Sequence, residues 1–380
     1  MSLSSALRLS RRTLPAFAAE GIFWGAFAAY APVLKAGIGA SDAQFGWVLL
    51  ASATGAVTAM WLAPVFDARF GRMAMAVAAV LLGVSFQAPI HVGSILLFGG
   101  LMIFAGAASG LLDVVMNARL SLIEARSGQS LMNLNHAVFS FAYAASALVS
   151  GLAREGGASP GQVFGGLFVI VLALAWAARQ SRVEEAAQEV ASAPGRLPAA
   201  VFWGGAIIFA GFMSENAVEG WSALHIERTL QGGAAEGALG PAILGLTMGV
   251  GRFGGQLVAA RWRPATVVVL AALLSAAGSV LAALAPAPWV AYLGFGVLGL
   301  GVSVIAPMAF AMVGARVEDE MRARAISRAA VVGYFGFFIG PPMVGFIAEA
   351  TSLRVSFLFI AMVLAAVPVL SWMLQRSERV

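Results

Sequence analysis

Four carboxylates in this chain stand where a charge is costly. Glu20, Asp113, Glu215 and Glu219 each lie in an apolar stretch long enough to cross a bilayer, and no Lys or Arg lies near the middle of those stretches. A charge at membrane depth costs at least ~2.5 kcal/mol even on the most lenient scale, and such groups usually face a water-filled cavity on an ion or solute path. Asp113 and Asn117 are four residues apart, so on a helix they face the same way. A carboxylate beside an amide can accept from and donate to hydroxyl groups, and desolvation favours its protonated form. An Asn alone would suit a plain helix–helix hydrogen bond, but an Asp with no cation at its depth does not. Glu215 and Glu219 are also one turn apart, and two carboxylates on one face form a place to hold one proton. Glu20 and Trp24 repeat the spacing. Glu20 is a second candidate proton site or a partner for an amine. Asn135 and His136 fall near the start of a later apolar stretch, and a histidine there can relay protons because it titrates near neutral pH. Sugar rings stack on aromatics, which makes Trp24, Trp221, Tyr334 and Phe338 candidates.

These residues need elements to hold them, and composition says which. Of 380 residues, 60% are hydrophobic and only 11% charged, with a mean hydropathy of +0.89. So few charges cannot cover the surface of a soluble protein of this size. An integral membrane protein is expected, surrounded by the lipid bilayer. Cysteine is absent, and the histidines His91, His136 and His225 are far apart, so thiolate, disulfide and clustered-histidine metal chemistry are not expected. The net charge of +5 does not require nucleic acid, because topology accounts for it. The N-terminus runs into a full-length apolar stretch and does not read as a cleaved signal peptide.

A helical span needs about 20 apolar residues. Twelve candidates are present, at 13–34, 43–65, 73–92, 95–118, 131–153, 162–179, 200–225, 239–260, 264–284, 288–312, 325–348 and 353–374. With the N-terminus inside, all but four of the 23 Lys and Arg fall on the inner side, the exceptions being Lys35, Arg154, Arg228 and Arg354. The positive-inside rule therefore predicts both termini in the cytoplasm. A polar stretch at 180–199 divides the chain into 1–179 and 200–380 and reads as a cytoplasmic linker between two six-helix bundles. A weak repeat at an offset of 194 residues pairs Gly55 with Gly249, Gly151 and Glu155 with Gly345 and Glu349, and Arg69 with Arg263. Two bundles related by an axis along the membrane normal, with the site between them at mid-depth, are a known transporter plan. Gly340-Pro341-Pro342 predicts an interruption in the eleventh helix.

The segment Asp67-Ala68-Arg69-Phe70-Gly71-Arg72 after the second span resembles the signature loop of the major facilitator superfamily, with one extra residue between Asp and Gly. A second copy, Gly251-Arg252-Phe253 through Arg261, keeps Gly and Arg but has Gln256 where an acid is common. The resemblance implies the all-α major facilitator fold: twelve transmembrane helices in two pseudo-symmetric six-helix bundles. It also implies a cytoplasmic latch formed by Asp67, Arg69, Arg72, Arg252 and Arg261. The stretches 110–117, 134–141, 215–222 and 333–342 resemble the sugar-type branch, notably the fucose:proton symporter and rhizopine-transporter-like proteins. In that symporter a Glu and an Asn four residues later occupy the places of Asp113 and Asn117, and the Pro that follows the Asn is Ala118 here. On this resemblance Trp24, Asp113, Asn117, Asn135, Glu215, Tyr334 and Phe338 are expected to bind substrate. Asp113, Glu20, Glu215, Glu219 and His136 are expected to couple protons. A bacterial inner-membrane, multi-pass monomer is expected.

The expected function is secondary transport of a small polar, sugar- or polyol-like solute coupled to protons, with no cofactor. The alternative is proton-driven export of cationic or amphipathic compounds. A membrane scaffold gains nothing from buried acids. No nucleophile–base or metal constellation suggests an enzyme, and no phosphate-binding loop suggests ATP drive.

Overall fold

The computed structural model describes residues 3–179, 198–259 and 261–377, and the described residues outside turns are helical. The expected linker at 180–199 lies outside the described residues, apart from Pro198 and Ala199, which open the seventh long helix. Among the described residues twelve long helices follow one another: α1 (Leu14–Gly37), α2 (Asp42–Phe70), α3 (Ala74–Ser85), α4 (Ile95–Ser127), α5 (Met132–Glu155), α6 (Pro160–Ala177), α7 (Ala199–Leu224), α8 (Ala234–Ala259), α9 (Pro264–Ala283), α10 (Pro288–Gly314), α11 (Asp319–Ala350) and α12 (Leu353–Ala365). After Ala366, α12 continues as Val367–Arg376, where Pro368 removes a backbone donor. A short helix, Leu3–Leu9, precedes α1 and was not expected.

Ten segments among the described residues are long and apolar enough to cross a membrane. One of them, Asp42–His91, is 50 residues long and contains the turn between α2 and α3, so it holds two passes. Large apolar side chains point outward, with Leu96 88% and Trp61 82% exposed, as a lipid-facing surface requires. Helix starts are written locally. Ser41 with Gln44, and Ser159 with Gln162, form capping boxes at α2 and α6. Proline sits in the first turn of α1, α6, α9 and α10. The turn after α2 needs Gly71, whose φ of +51° few side chains tolerate.

The two bundles repeat one packing scheme. In the first, α1 packs on α5, α2 on α4 and α3 on α6; in the second, α7 packs on α11, α8 on α10 and α9 on α12. The bundles meet along two equivalent seams, α2 with α11 and α5 with α8. At one end these seams are tied by reciprocal contacts. Glu155, at the end of α5, accepts from the Ala235 backbone N–H at 2.7 Å, and Glu349, at the end of α11, accepts from the Ala43 N–H at 2.8 Å and from Ser41 Oγ. Each carboxylate thus satisfies orphan donors at the start of a helix in the other bundle, where the helix dipole favours negative charge. A π-helical turn, His225–Thr229, presents Glu227 to Arg154 and Arg228 to Asp42. The second pair is bidentate, at 2.8 and 2.6 Å. Lys35 adds a third charge at 3.1 Å from Asp42.

The predicted interruption of α11 is not seen. The helix runs unbroken to Ala350 with Pro341 and Pro342 inside it. The prolines free individual carbonyls, but bonds on both sides hold the helical path. Trp221, offered as a stacking surface, is instead fully buried in the seam, edge-on to Phe45 with ring centroids 5.7 Å apart.

Close approach at the seam depends on Gly345, where an added Cβ would collide with the Asp42 backbone carbonyl across the interface. Gly345→Val should cost about 1–3 kcal/mol through this overpacking. The readout is a lower thermal midpoint of the purified protein. Gly166→Val, whose Cβ would meet open space, should leave the midpoint near the parent value.

Candidate functional site

Between the bundles, on the far side of this seam, lies a cavity of about 300 Å³. Its lining runs down α2 from Leu49 to Met60, away from the tied end, and takes in residues of α1, α4, α5, α7, α8 and α11. All four acids singled out from the sequence reach it, together with Trp24, His136, Tyr334 and Phe338.

The acids form two clusters. In the first bundle, Glu20 Oε1 accepts from Ser109 Oγ at 2.6 Å, and Ser109 Oγ accepts from Trp24 Nε1 at 3.0 Å. The Glu20–Trp24 spacing on α1 thus closes through one hydroxyl of α4. One turn further along α4, Asn117 Nδ2 donates to Asp113 Oδ1 at 2.8 Å. That commits the amide nitrogen, so Asn117 Oδ1 is left to accept from His136 Nε2 at 3.2 Å. His136 is further fixed edge-on against Phe17, with centroids 5.0 Å apart. Asn117 therefore orients Asp113 and His136 from just outside the cavity lining.

The second cluster departs from expectation. Arg252, assigned to the cytoplasmic latch, lies in the cavity wall. Its Nη2 is 3.0 Å from Glu215 Oε1, and its Nη1 donates to Ser140 Oγ at 2.6 Å. The apolar stretch of Glu215 holds no cation, but the neighbouring helix α8 supplies one. Both side chains of the pair are mostly buried. Breaking such a pair by removing one partner typically costs 3–5 kcal/mol, because a buried charge is left uncompensated. Glu219 also lines the cavity, one turn from Glu215.

The remaining latch residues lie elsewhere. Asp67 accepts from Arg119 Nη2 at 2.6 Å, and Arg119 belongs to α4 of the same bundle. Arg69 is exposed on the last turn of α2, Arg72 is exposed in the turn that follows, and Arg261 is exposed between α8 and α9. In this conformation Asp67 is held within its own bundle.

Asn135 is also corrected. It is fully buried and does not line the cavity. Its Oδ1 accepts from Thr13 Oγ1 at 2.7 Å, and its Nδ2 donates to Ser10 Oγ at 2.9 Å and to the Leu131 carbonyl at 3.0 Å. It fastens the segment before α1 to the start of α5. Ser109, Phe212 and Phe337 are among the cavity residues that had no individual role on sequence grounds. Phe212 stacks on Phe337 at 4.7 Å and lies 5.5 Å from Tyr334, forming one aromatic wall. Ser109 belongs to the small-residue run 105–110.

The Major Facilitator Superfamily pattern matches residues 254–380. The chain is 28% identical over 369 residues to an uncharacterized MFS-type transporter of Yersinia pestis, covering 93% of this chain and 92% of that one. It is 28% identical over 355 residues to the membrane protein MosC of Rhizobium meliloti, covering 90% and 84%. Among solved structures it is similar to a D-xylose–proton symporter, with a TM-score of 0.74 at 15% identity over 98% of each chain. The architecture is the major facilitator fold.

The corrected role of Asn135 has a direct test. Asn135→Leu removes the side-chain partner of Ser10 Oγ and leaves Thr13 Oγ1 with the Ser10 carbonyl alone, at about 1–3 kcal/mol for an unsatisfied buried group. The thermal midpoint should fall while the affinity of any cavity ligand stays within twofold. An unchanged midpoint with weakened binding would return Asn135 to the site.

Proposed function

We propose that this chain is a secondary transporter that carries a small polar, sugar- or polyol-like solute by alternating access and couples the movement to protons. The observation that carries the reading is the Asp113–Asn117–His136 constellation on the wall of a cavity between two bundles. It offers a carboxylate and an imidazole on a shared amide, beside an aromatic wall. That set suits hydroxyl recognition and proton exchange together. The volume of about 300 Å³ is at the small end of the range for ligand pockets and favours a compact solute over a drug-sized one. The similarity in fold to a D-xylose–proton symporter agrees with this reading. The inner membrane, with both termini cytoplasmic, is the location that the arginine distribution supports.

Export of cationic compounds is the second reading. It is favoured by the excess of acids in the cavity, four against the single guanidinium of Arg252 among the described lining residues. Thermal shift against sugars, polyols, amino sugars and cationic dyes separates the two, because a ligand stabilises the protein it binds by an amount set by its concentration over its dissociation constant.

Proton coupling is tested at Asp113. An imposed difference of about one pH unit is worth about 1.4 kcal/mol per proton, or up to about tenfold accumulation. Asp113→Asn keeps size and hydrogen bonding but removes the titration. In proteoliposomes it is expected to retain binding and exchange of the solute found by the screen while losing gradient-driven accumulation. Full accumulation by the Asn variant would move the proton role to Glu20, Glu215 or Glu219.

A further inference from the structure

The last helix of each bundle ends in the same arrangement of Trp and Arg. Arg179, just past the end of α6, sits over Trp176 with its guanidinium carbon 3.0 Å from the ring centroid. Arg376, at the end of α12, sits over Trp372 at 4.2 Å. Both indoles face outward, Trp176 67% and Trp372 49% exposed. In each case a second arginine arrives from elsewhere in the chain and caps the same helix end. Arg12 Nη1 donates to the Ala177 carbonyl at 3.0 Å, and Arg316 Nη2 donates to the Gln375 carbonyl at 3.0 Å. Arg12 precedes α1, whereas Arg316 lies between α10 and α11, so the two bundles reach one arrangement by different routes.

The charge at the end of α6 is not balanced locally. Arg179 Nε donates to the Trp176 carbonyl at 3.1 Å, so two guanidiniums are held on the carbonyls of consecutive residues. A helix C-terminus favours cations, but it carries only roughly −0.5 of an elementary charge. Arg8 and Arg11, both exposed, add positive charge from the segment that Arg12 fastens here. Among the described residues no carboxylate forms an ion pair with Arg8, Arg11, Arg12 or Arg179. The bond to Trp176 uses Nε of Arg179 and leaves its two terminal nitrogens, the fork that matches two phosphate oxygens.

An apolar track leads to this charge. Val169, Leu172 and Trp176 are exposed and recur at helical spacing, so they lie along one outer face of α6. Met362, Val369 and Trp372 do the same on α12. From Val169 to Arg179 the chain rises about 15 Å, which is about the hydrocarbon depth of one leaflet. A soluble anion makes no contact with such a track, whereas an acyl chain covers it. Beside it the short helix Leu3–Leu9 exposes Leu3 and Leu7, one turn apart, as a helix lying in the membrane interface does.

We propose that the ends of α6 and α12 are two binding sites for anionic phospholipid. The phosphodiester sits on the fork of Arg179 or Arg376, and an acyl chain runs along the outer face of the helix below it. The indole holds the guanidinium at headgroup depth through the cation–π contact. The α6 site is the stronger, because Arg8, Arg11 and Arg12 lie around it. On the orientation proposed above both sites belong to the cytoplasmic leaflet, but binding itself does not depend on which compartment that end faces.

Native mass spectrometry of the detergent-purified chain reads this directly. Phosphatidylglycerol should be retained at least about fivefold better than phosphatidylcholine, with two molecules held more tightly than the rest. Arg179→Gln and Arg376→Gln should each weaken one of the two by about fivefold, and the double variant should weaken both. Arg179→Lys, which keeps the charge but not the fork, should retain part of the binding. Trp176→Leu, which removes no charge, should also weaken the α6 site. Arg263→Gln, at an exposed arginine before α9, should change retention by less than about twofold. Phosphatidylglycerol should raise the thermal midpoint of the parent more than that of the Arg179→Gln protein. Equal retention of the two lipids, Arg179→Gln and Arg376→Gln proteins that bind phosphatidylglycerol like the parent, or an equal loss in Arg263→Gln would each overturn the proposal. So would displacement of the bound lipid by inorganic phosphate, which would assign the arginines to a soluble anion. None of these measurements involves the solute, so a failed solute screen would count against the proposed function and leave the lipid sites standing.

Discussion

A carboxylate withdrawn from bulk water needs compensation close at hand, and the interior of this protein is organised around that need. Glu215 has the guanidinium of Arg252. Glu20 has a hydroxyl that is itself fed by an indole N–H. Asp113 has an amide. None of these compensations can be made by the helix that carries the acid alone, except for that of Asp113 by Asn117. The others require α4 to approach α1 and α8 to approach α7. The bundle packing is thus the condition for keeping charge at this depth.

The compensation is uneven, and the unevenness has functional weight. On one side of the cavity, acids meet only neutral partners, and protonation there changes the net charge of the wall without breaking an ion pair. On the other side, Glu215 is held in an ion pair with Arg252, which also reaches Ser140 of the first bundle. One wall of the cavity is thus neutral hydrogen bonding and the other is charge pairing.

Much of this was legible in the sequence because charge in an apolar stretch is conspicuous. Glu20, Asp113, Glu215 and Glu219 were found that way, and the i to i+4 spacing of Asp113 with Asn117 became a real hydrogen bond. Arg252 was misread because its Gly-Arg context resembles a loop motif, and a motif match says nothing about depth along a long helix. Asn135 was misread because the sequence gives a residue's polarity but not which face of α5 points to the cavity. That face is set by α1 and the segment before it, which arrive 122 residues away along the chain. The proline pair in α11 predicted an interruption because local rules count lost donors, whereas the packed helix keeps its course. Fold-level features fared better: the twelve hydrophobic stretches became twelve helices among the described residues, because a span is an average over many residues, which single contacts cannot upset.

The reciprocal caps at the tied end make the two bundles behave like the subunits of a homodimer. Glu155 does for α8 what Glu349 does for α2, so the interface is self-complementary within a single chain. A self-complementary interface places each contact twice about its axis. The cavity has no such duplication: Asp113 sits on α4, while its counterpart α10 has no charge at all, and Arg252 sits on α8, while α2 has none between Asp42 and Asp67. Symmetry is kept where the halves grip and dropped around the cavity. The consequence is evolutionary freedom of a particular kind. Substitutions in the cavity can change its wall without disturbing the grip, whereas a change at either cap unbalances a matched pair.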